Sequence, residues 1–481
     1  MKTRWRKIIT YCLPVIGAIL LTSCAWHGAP MTDPDDIAYA PLCFDPPKAE
    51  RVELENGIVL YMLEDHELPL VNLSAVIRMG SYYDPPGKEG LAEITGTVMR
   101  TGGTESMTGD QIDETLDFLA GSITVSVGTD SCTLSMSVLE KDIDKGLKIF
   151  SDILTCPVFS SEKLKTAKIL EREALERIHD NPQKIAFREF RRLLYRGDPR
   201  GRLSSIESIG KIERDDLLAF YRRFFRPRNV MIALSGDISK RDAIRKIKNN
   251  LDAWNVSGGP EPLPSPPSHV RASLNYIYKD TPQSVIVIGQ PAPGETSPDY
   301  YTFEVLDFIT GSGGFRSQIF AEVRNRLGLA YSAGSFYSSR REYGIFGAYA
   351  MTKSSSTMKA LSSITTILDT IRDRGVESGG ELAWAKESII NTFIFSFATP
   401  GRIVMRQMML EFEGLPENFL TRYTDNIETV GLDDLRGVAA RYLTGENRIV
   451  LILGNKDTFA EPLSSFGDFN TVKTGTDNEG N

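Results

Sequence analysis

Histidine is scarce in this chain. There are four in 481 residues, His27, His66, His179 and His269, and no two stand within a helical turn or at a spacing that sets two imidazoles on one metal. A metal centre built on histidine is therefore excluded, and each histidine reads as a surface or capping residue. Cysteine is nearly as sparse, five in all, with no C-x-x-C pair, so neither a disulfide framework nor a metal knuckle is implied. Positive charge is also short: the net charge of −8 leaves no basic footprint for nucleic acid. The arginines at 188, 191, 192, 222 and 223 fall inside helical patterns and read as solvated faces. No G-x-G-x-x-G follows a strand and no Gly-Lys-Ser/Thr occurs, so the glycines at 311, 313 and 314 do not form a phosphate loop.

What is present at the start of the chain sets an expectation about compartment. Lys2, Arg4, Arg6 and Lys7 precede an apolar run from Ile8 to Leu21, too short to span a bilayer, and Leu21-Thr22-Ser23-Cys24 closes it. This reads as a cleaved signal ending in a tetrapeptide that resembles a bacterial lipobox. The expected mature protein begins at a lipidated Cys24, whose several acyl chains anchor it to a membrane. Ala25 follows, not Asp, which fits an outer-membrane lipoprotein facing the periplasm. Once Cys12 leaves with the signal and Cys24 is lipidated, Cys43, Cys132 and Cys156 remain. Cys132 and Cys156 read as buried apolar residues, with a bond between them left open.

Apolar residues make up 41% of the chain and charged residues 25%, enough for two sizeable cores. Five prolines and two glycines within 256–268 sustain neither helix nor sheet and mark an extended linker. The pattern divides the chain into a signal (1–23), a tether (24–47), a first half (48–255), the linker (256–270), a second half (271–456) and a polar tail (457–481). The first half reads as strands Val52–Leu63 and Val71–Met79, a helix near Gly90, and a helix from Thr108 opened by the capping box Thr108-x-x-Gln111. Paired strands Ser122–Val127 and Cys132–Val138 follow, then helices at about 141–154, 161–178 and 182–195, and a closing strand Val230–Leu234. The second half repeats the plan: strand Val285–Gln290, helices at about 298–311 and 316–326, strands Ala330–Tyr337 and Gly344–Met351, helices between about 355 and 442, and strand Ile449–Leu453. This is a duplicated α+β unit in pattern rather than in identity.

Two segments carry a family resemblance. Gly90 to Thr104 reads GLAEITGTVMRTGGT and resembles the zinc helix of the pitrilysin (insulinase) peptidases, G-L-A-H-x-x-E-H, with every metal-binding side chain replaced. In that motif two histidines four apart share a helical face and bind zinc, and the glutamate polarises a water. The three places are Glu93, Gly96 and Thr97 here. The family's further glutamate falls near Glu173 and Ala174; Glu171, Glu173 and Glu176 read as a solvated helix face. The second segment, Gly311 to Ser332, resembles the family's G-G-x-S…R…G-L-A-Y-S stretch almost position for position. There the resemblance assigns Arg324 and Tyr331 to holding a substrate backbone and stabilising the attacked carbonyl. Further matches run from about residue 48 to 456.

The resemblance implies an α+β fold of two homologous α/β-sandwich halves, of the mitochondrial-processing-peptidase-like metallohydrolase type. It also implies a non-catalytic subunit of a heteromeric zinc peptidase: no metal and no cofactor in this chain, zinc in a homologous partner that bears the histidine motif, and peptides as substrates. An alternative is an envelope scaffold or peptide-binding lipoprotein outside proteolysis. A third reading, an active peptidase using Glu93 with Glu173, lacks any imidazole or thiolate donor.

Overall fold

The computed structural model describes residues 46–262 and 270–473. The expected signal, the lipidation at Cys24, Cys43, His27, His269 and residues 263–269 of the linker lie outside them. The first half contains β1 (Glu50–Glu53), β2 (Val59–Glu64), β3 (Leu70–Ile77), α1 (Leu91–Thr101), α2 (Gly109–Phe118), β4 (Ser122–Val127), β5 (Cys132–Leu139), α3 (Ile143–Thr155), α4 (Ser161–Ile178), α5 (Pro182–Leu194), α6 (Ile206–Gly210), α7 (Arg214–Phe224), β6 (Val230–Gly236) and α8 (Lys240–Leu251). The second contains β7 (Ser273–Tyr278), β8 (Gln283–Ala292), α9 (Tyr300–Asp307), β9 (Ala330–Ser339), β10 (Gly344–Lys353), α10 (Thr357–Arg374), α11 (Gly379–Phe395), α12 (Pro400–Glu413), α13 (Tyr423–Thr429), α14 (Leu432–Tyr442), β11 (Ile449–Gly454) and β12 (Phe469–Thr471). Among the described residues no helix is long and apolar enough to cross a membrane.

The strands form two six-stranded sheets, ordered β1-β2-β6-β3-β5-β4 and β12-β7-β11-β8-β10-β9. Their cores are the same. In each, the first long strand runs parallel to the last (β2 with β6, β7 with β11), and every further neighbour is antiparallel. The duplicated α+β fold expected from the sequence is therefore present at the level of strand order. It differs at the margins: β1 pairs antiparallel with β2, whereas β12 pairs parallel with β7.

Each sheet is closed on its second face by a helix from the other half of the sequence. Helix α5 belongs to the first half but lays Ile185, Ala186, Phe190, Leu193 and Leu194 on Val285 and Val287 of β8 and Ile449, Leu451 and Leu453 of β11. Helix α12 of the second half lays Val404, Met408 and Phe412 on Val76, Met231 and Ala233 of the first sheet. This is why β6 and β11 read as continuous apolar runs, with every residue buried. Both exchanged helices start alike: Asn181 and Thr399 cap them through side-chain oxygens, and Pro182 and Pro400 follow at the first helical position. Polar contacts fix the rim, with Arg51 and the Tyr61 hydroxyl both donating to Glu411 of α12 at 2.7 Å.

Several expectations are corrected. The strand expected over Val52–Leu63 is two strands turned at Asn56-Gly57, where Gly57 has φ +92° and a Cβ would stand 2.5 Å from Arg228. Within the segment expected to be a polar tail, β12 pairs with β7, and Phe469 packs on Tyr276 with ring centroids 5.9 Å apart. The helices expected at 298–311 and 316–326 are interrupted by wide π-type turns at Phe308–Ser312 and Phe320–Arg326. The Thr108–Gln111 capping box is formed in both directions.

Phe190 sits where Gly289 leaves room, since a Cβ at 289 would meet the ring at 2.4 Å. Phe190→Ala is expected to cost about 3–5 kcal/mol by urea denaturation; a loss below about 1 kcal/mol would contradict the exchange as a principal source of stability.

Burial raises four carboxyl groups far above their ordinary values: Glu304, Glu413 and Asp84 to about 7 and Asp307 to about 6. A carboxyl whose folded pKa is raised binds a proton more readily folded than unfolded between the two values, so stability falls as pH climbs through that window and levels off above about 7. The melting temperature should accordingly drop between about pH 5 and 7.5, and Glu304→Gln should flatten the drop. A melting temperature that rises over that range would contradict the assignment.

Candidate functional site

Helix α1 replaces the zinc helix. Gly90 precedes it at φ +100°, and the buried carboxylate of Asp84 accepts the backbone N–H of Gly90 at 2.7 Å and of Ala92 at 2.8 Å. These two bonds to the first turn fix the orientation of α1. Its inner face is the apolar set Leu91, Ala92, Ile94, Val98 and Met99. Glu93 is exposed and Thr97 half-buried, one turn apart on the other side.

Gly96, between them, is buried against β4. A Cβ there would stand 2.5 Å from Val127 and 3.0 Å from Val125, so the place of the family's glutamate has no room for a side chain. Near Glu93, desolvation raises the carboxyl pKa, and the charge of Glu171 on α4 adds to it. Glu171 is raised too, by desolvation, against the lowering influence of Arg188. This corrects the solvated reading of Glu171, which is half-buried beside Glu93, while Glu173 and Glu176 are exposed. Glu173 pairs with Arg177 at 2.8 Å, so it does not join Glu93 as a ligand.

Among the described residues no three His, Cys, Asp or Glu side chains converge as a metal site. Two carboxylates with a glycine and a threonine do not fit zinc, which takes imidazole and thiolate donors. His66 pairs with Asp237 at 2.6 Å on the surface, and His179 ends α4. Cys132 is buried, its thiol pushed up to about 12, and Cys132 and Cys156 are both free thiols, which closes the question of a bond between them.

The second segment is built differently. Gly311 touches β9 so closely that a Cβ would lie 2.3 Å from the Ser335 nitrogen. Asp307, buried at the end of α9 with its pKa raised by desolvation, accepts the Ser335 hydroxyl at 2.5 Å, and Ser317 donates to the carbonyls of Gly311 and Gly314. These bonds lock the turn from which the π-type helix Phe320–Arg326 departs. On it Arg324 is exposed, with its guanidinium 4.7 Å from the Phe320 ring centroid and no carboxylate partner among the described residues. Arg326, by contrast, is taken by Glu322.

Tyr331 lies on β9, the edge strand, and is 58% exposed. The ladder with β10 pairs Ala330 with Thr352 and Ser332 with Met351, so Tyr331 is the extra residue of a β-bulge. Bulges re-aim a side chain out of the regular pleat. Its hydroxyl reaches the Met351 sulfur at 3.0 Å, a weak acceptor that leaves the phenol free to donate elsewhere. Helix α1 packs on β4, α4 and α7, whereas β9 packs on the two π-type turns. No hydrogen bond, ion pair or ring contact among the described residues joins Glu93, Gly96 or Thr97 to Arg324 or Tyr331. The bulge at Tyr331 and the closed space at Gly96 had no signal in the sequence, because both depend on neighbouring strands.

Comparison with known proteins fits this arrangement. Residues 60–204 match the family model for insulinase (peptidase family M16), and residues 211–379 that for the peptidase M16 inactive domain. The chain belongs to the insulinase, or M16, peptidase family. An uncharacterized zinc protease of Rickettsia bellii is 25% identical over 306 residues, 62% of this chain and 72% of its own. The non-peptidase homolog YmxG of Helicobacter pylori is 23% identical over 396 residues, 82% of this chain and 91% of its own. Among solved structures, a peptidase M16 inactive domain from Pseudomonas fluorescens superimposes with a TM-score of 0.79 at 22% identity, over 87% of this chain and all of that one. That likeness establishes the fold.

Gly96→Ala tests the packing directly. Helix propensity alone favours alanine by about 1 kcal/mol, but the collision with Val125 and Val127 should outweigh it and give a net loss of about 1–3 kcal/mol. A stabilised variant would show that the space is open.

Proposed function

We propose that this chain is the non-catalytic, substrate-contacting subunit of a heteromeric zinc peptidase of the bacterial cell envelope. The observation that carries the reading is an asymmetry. The zinc helix keeps its fold and has lost its donors, with Gly96 closed against β4, while Arg324 and Tyr331 stand exposed, without a carboxylate or strong acceptor among the described residues. An unspent cation and a re-aimed phenol suit a carbonyl oxygen that gains negative charge during attack, and such donors count most where water is excluded. In this reading Arg324 holds the peptide backbone and the Tyr331 hydroxyl donates to the developing oxyanion.

Zinc belongs to a homologous partner that bears the histidine motif, and this chain completes the peptide-binding chamber. The lipobox at Cys24 supports attachment to the outer membrane, facing the periplasm. The name of the Helicobacter pylori relative, a non-peptidase homolog, agrees with a chain inactive alone.

Mixing the purified chain with a zinc-motif homologue from the same cell should create peptidase activity that neither has alone. Tyr331→Phe should lower its kcat by about 100-fold, the usual cost of removing one oxyanion donor. Activity that does not rise on mixing, or is indifferent to Tyr331, would favour a scaffold or peptide-binding role outside proteolysis.

A further inference from the structure

The segment that presents Arg324 also holds side chains that backbone positioning does not explain. Phe315, in the turn Gly314–Arg316, is 74% exposed. Its ring meets Phe320 edge-on with centroids 4.9 Å apart. Arg324 lies over the same Phe320 ring, and Arg316 sets its guanidinium 4.9 Å from the ring centroid of Trp384 on α11. An exposed phenylalanine thus shares its segment with two exposed arginines, each held against a different aromatic ring. Acidic side chains on the same elements are engaged elsewhere: Glu322 with Arg326, and Glu381 with the Gln318 amide at 3.3 Å.

A guanidinium on a ring face is located by its π surface and keeps its in-plane N–H donors. Neither Arg316 nor Arg324 donates to a carboxylate among the described residues. Two forks for an anion are therefore presented by the same segment as one exposed apolar ring, on a chain whose net charge is −8.

We propose that this strip is a specificity subsite for peptide segments in which a carboxylate side chain adjoins an aromatic one. The aromatic side chain covers Phe315, and the carboxylate takes the N–H fork of Arg316, leaving Arg324 to the peptide backbone. A lysine at the carboxylate's place meets the Arg316 cation and is rejected. The inference rests on the proposed function only in taking a peptide as the ligand; it requires no catalysis and no partner chain.

Fluorescence anisotropy on the full chain alone tests it, with three fluorescein-labelled ten-residue peptides that differ only at a central pair: Asp-Phe, Lys-Phe or Asp-Ala. The Asp-Phe peptide should bind about tenfold tighter than either other, the effect of one charge-assisted pair or one aromatic contact. Phe315→Ala should erase the difference from Asp-Ala, and Arg316→Gln the difference from Lys-Phe; both changes are at exposed side chains, so the fold is retained. Equal affinity for the three peptides, or a preference that survives these substitutions, would overturn the subsite. A chain that keeps the preference but adds no activity to a zinc-motif homologue would instead overturn the subunit reading and leave the subsite standing.

Discussion

The structure depends on the exchange of one helix between its two halves. A six-stranded sheet has two faces, and the helices within each half cover only one of them. Helix α5 closes the second face of the second sheet and α12 that of the first. Each fully buried Leu, Ile, Phe or Met side chain contributes roughly 1.5–3 kcal/mol relative to exposure. Exposing even two or three of the apolar side chains that α5 and α12 bury would therefore cost an amount comparable with the net stability of an ordinary domain, about 5–15 kcal/mol. Neither half could release its helix without exposing the apolar strip along β6 or β11, so the two sheets hold as one unit. The elements carrying Glu93 and those carrying Arg324 and Tyr331 are fixed to that unit.

Much of this was legible in the sequence, for reasons that can be named. The runs Val230–Leu234 and Ile449–Leu453 are apolar without alternation because both faces of these strands are buried, and they read as the strand that closes each half. Cys132–Leu139 alternates because only one of its faces meets the large core. The Thr108 capping box is a local motif, formed as its spacing requires. The exchange itself was not legible. Periodicity shows that 182–195 has an apolar face and cannot show which sheet covers it. The hairpin at Asn56-Gly57 carried a recognisable turn signal inside an alternating run, and the alternation concealed it.

The candidate site divides along the same line. The residues that replace the zinc ligands, and the arginine and tyrosine, were found from the resemblance of two segments to the family's motifs. The features that decide what they can do are tertiary. Gly96 lacks space because Val125 and Val127 stand over it. Tyr331 is re-aimed because the β9–β10 register slips there. Glu171 was misjudged as a solvated residue because its burial comes from α4 packing on α1, a contact absent from its own helix. Helix α1 is thus a packed structural element without a zinc-binding set, while Arg324 and Tyr331 on the Gly311–Ser332 segment have no carboxylate partner among the described residues.

Purification of the native protein from its own cells, membrane fraction included, with metal analysis and a peptide-cleavage assay on the eluate, tests the central claim most directly. The account predicts that zinc, peptidase activity and a homologue bearing the histidine motif elute together with this chain. A metal-free and inactive eluate, or one whose partner lacks that motif, would contradict it.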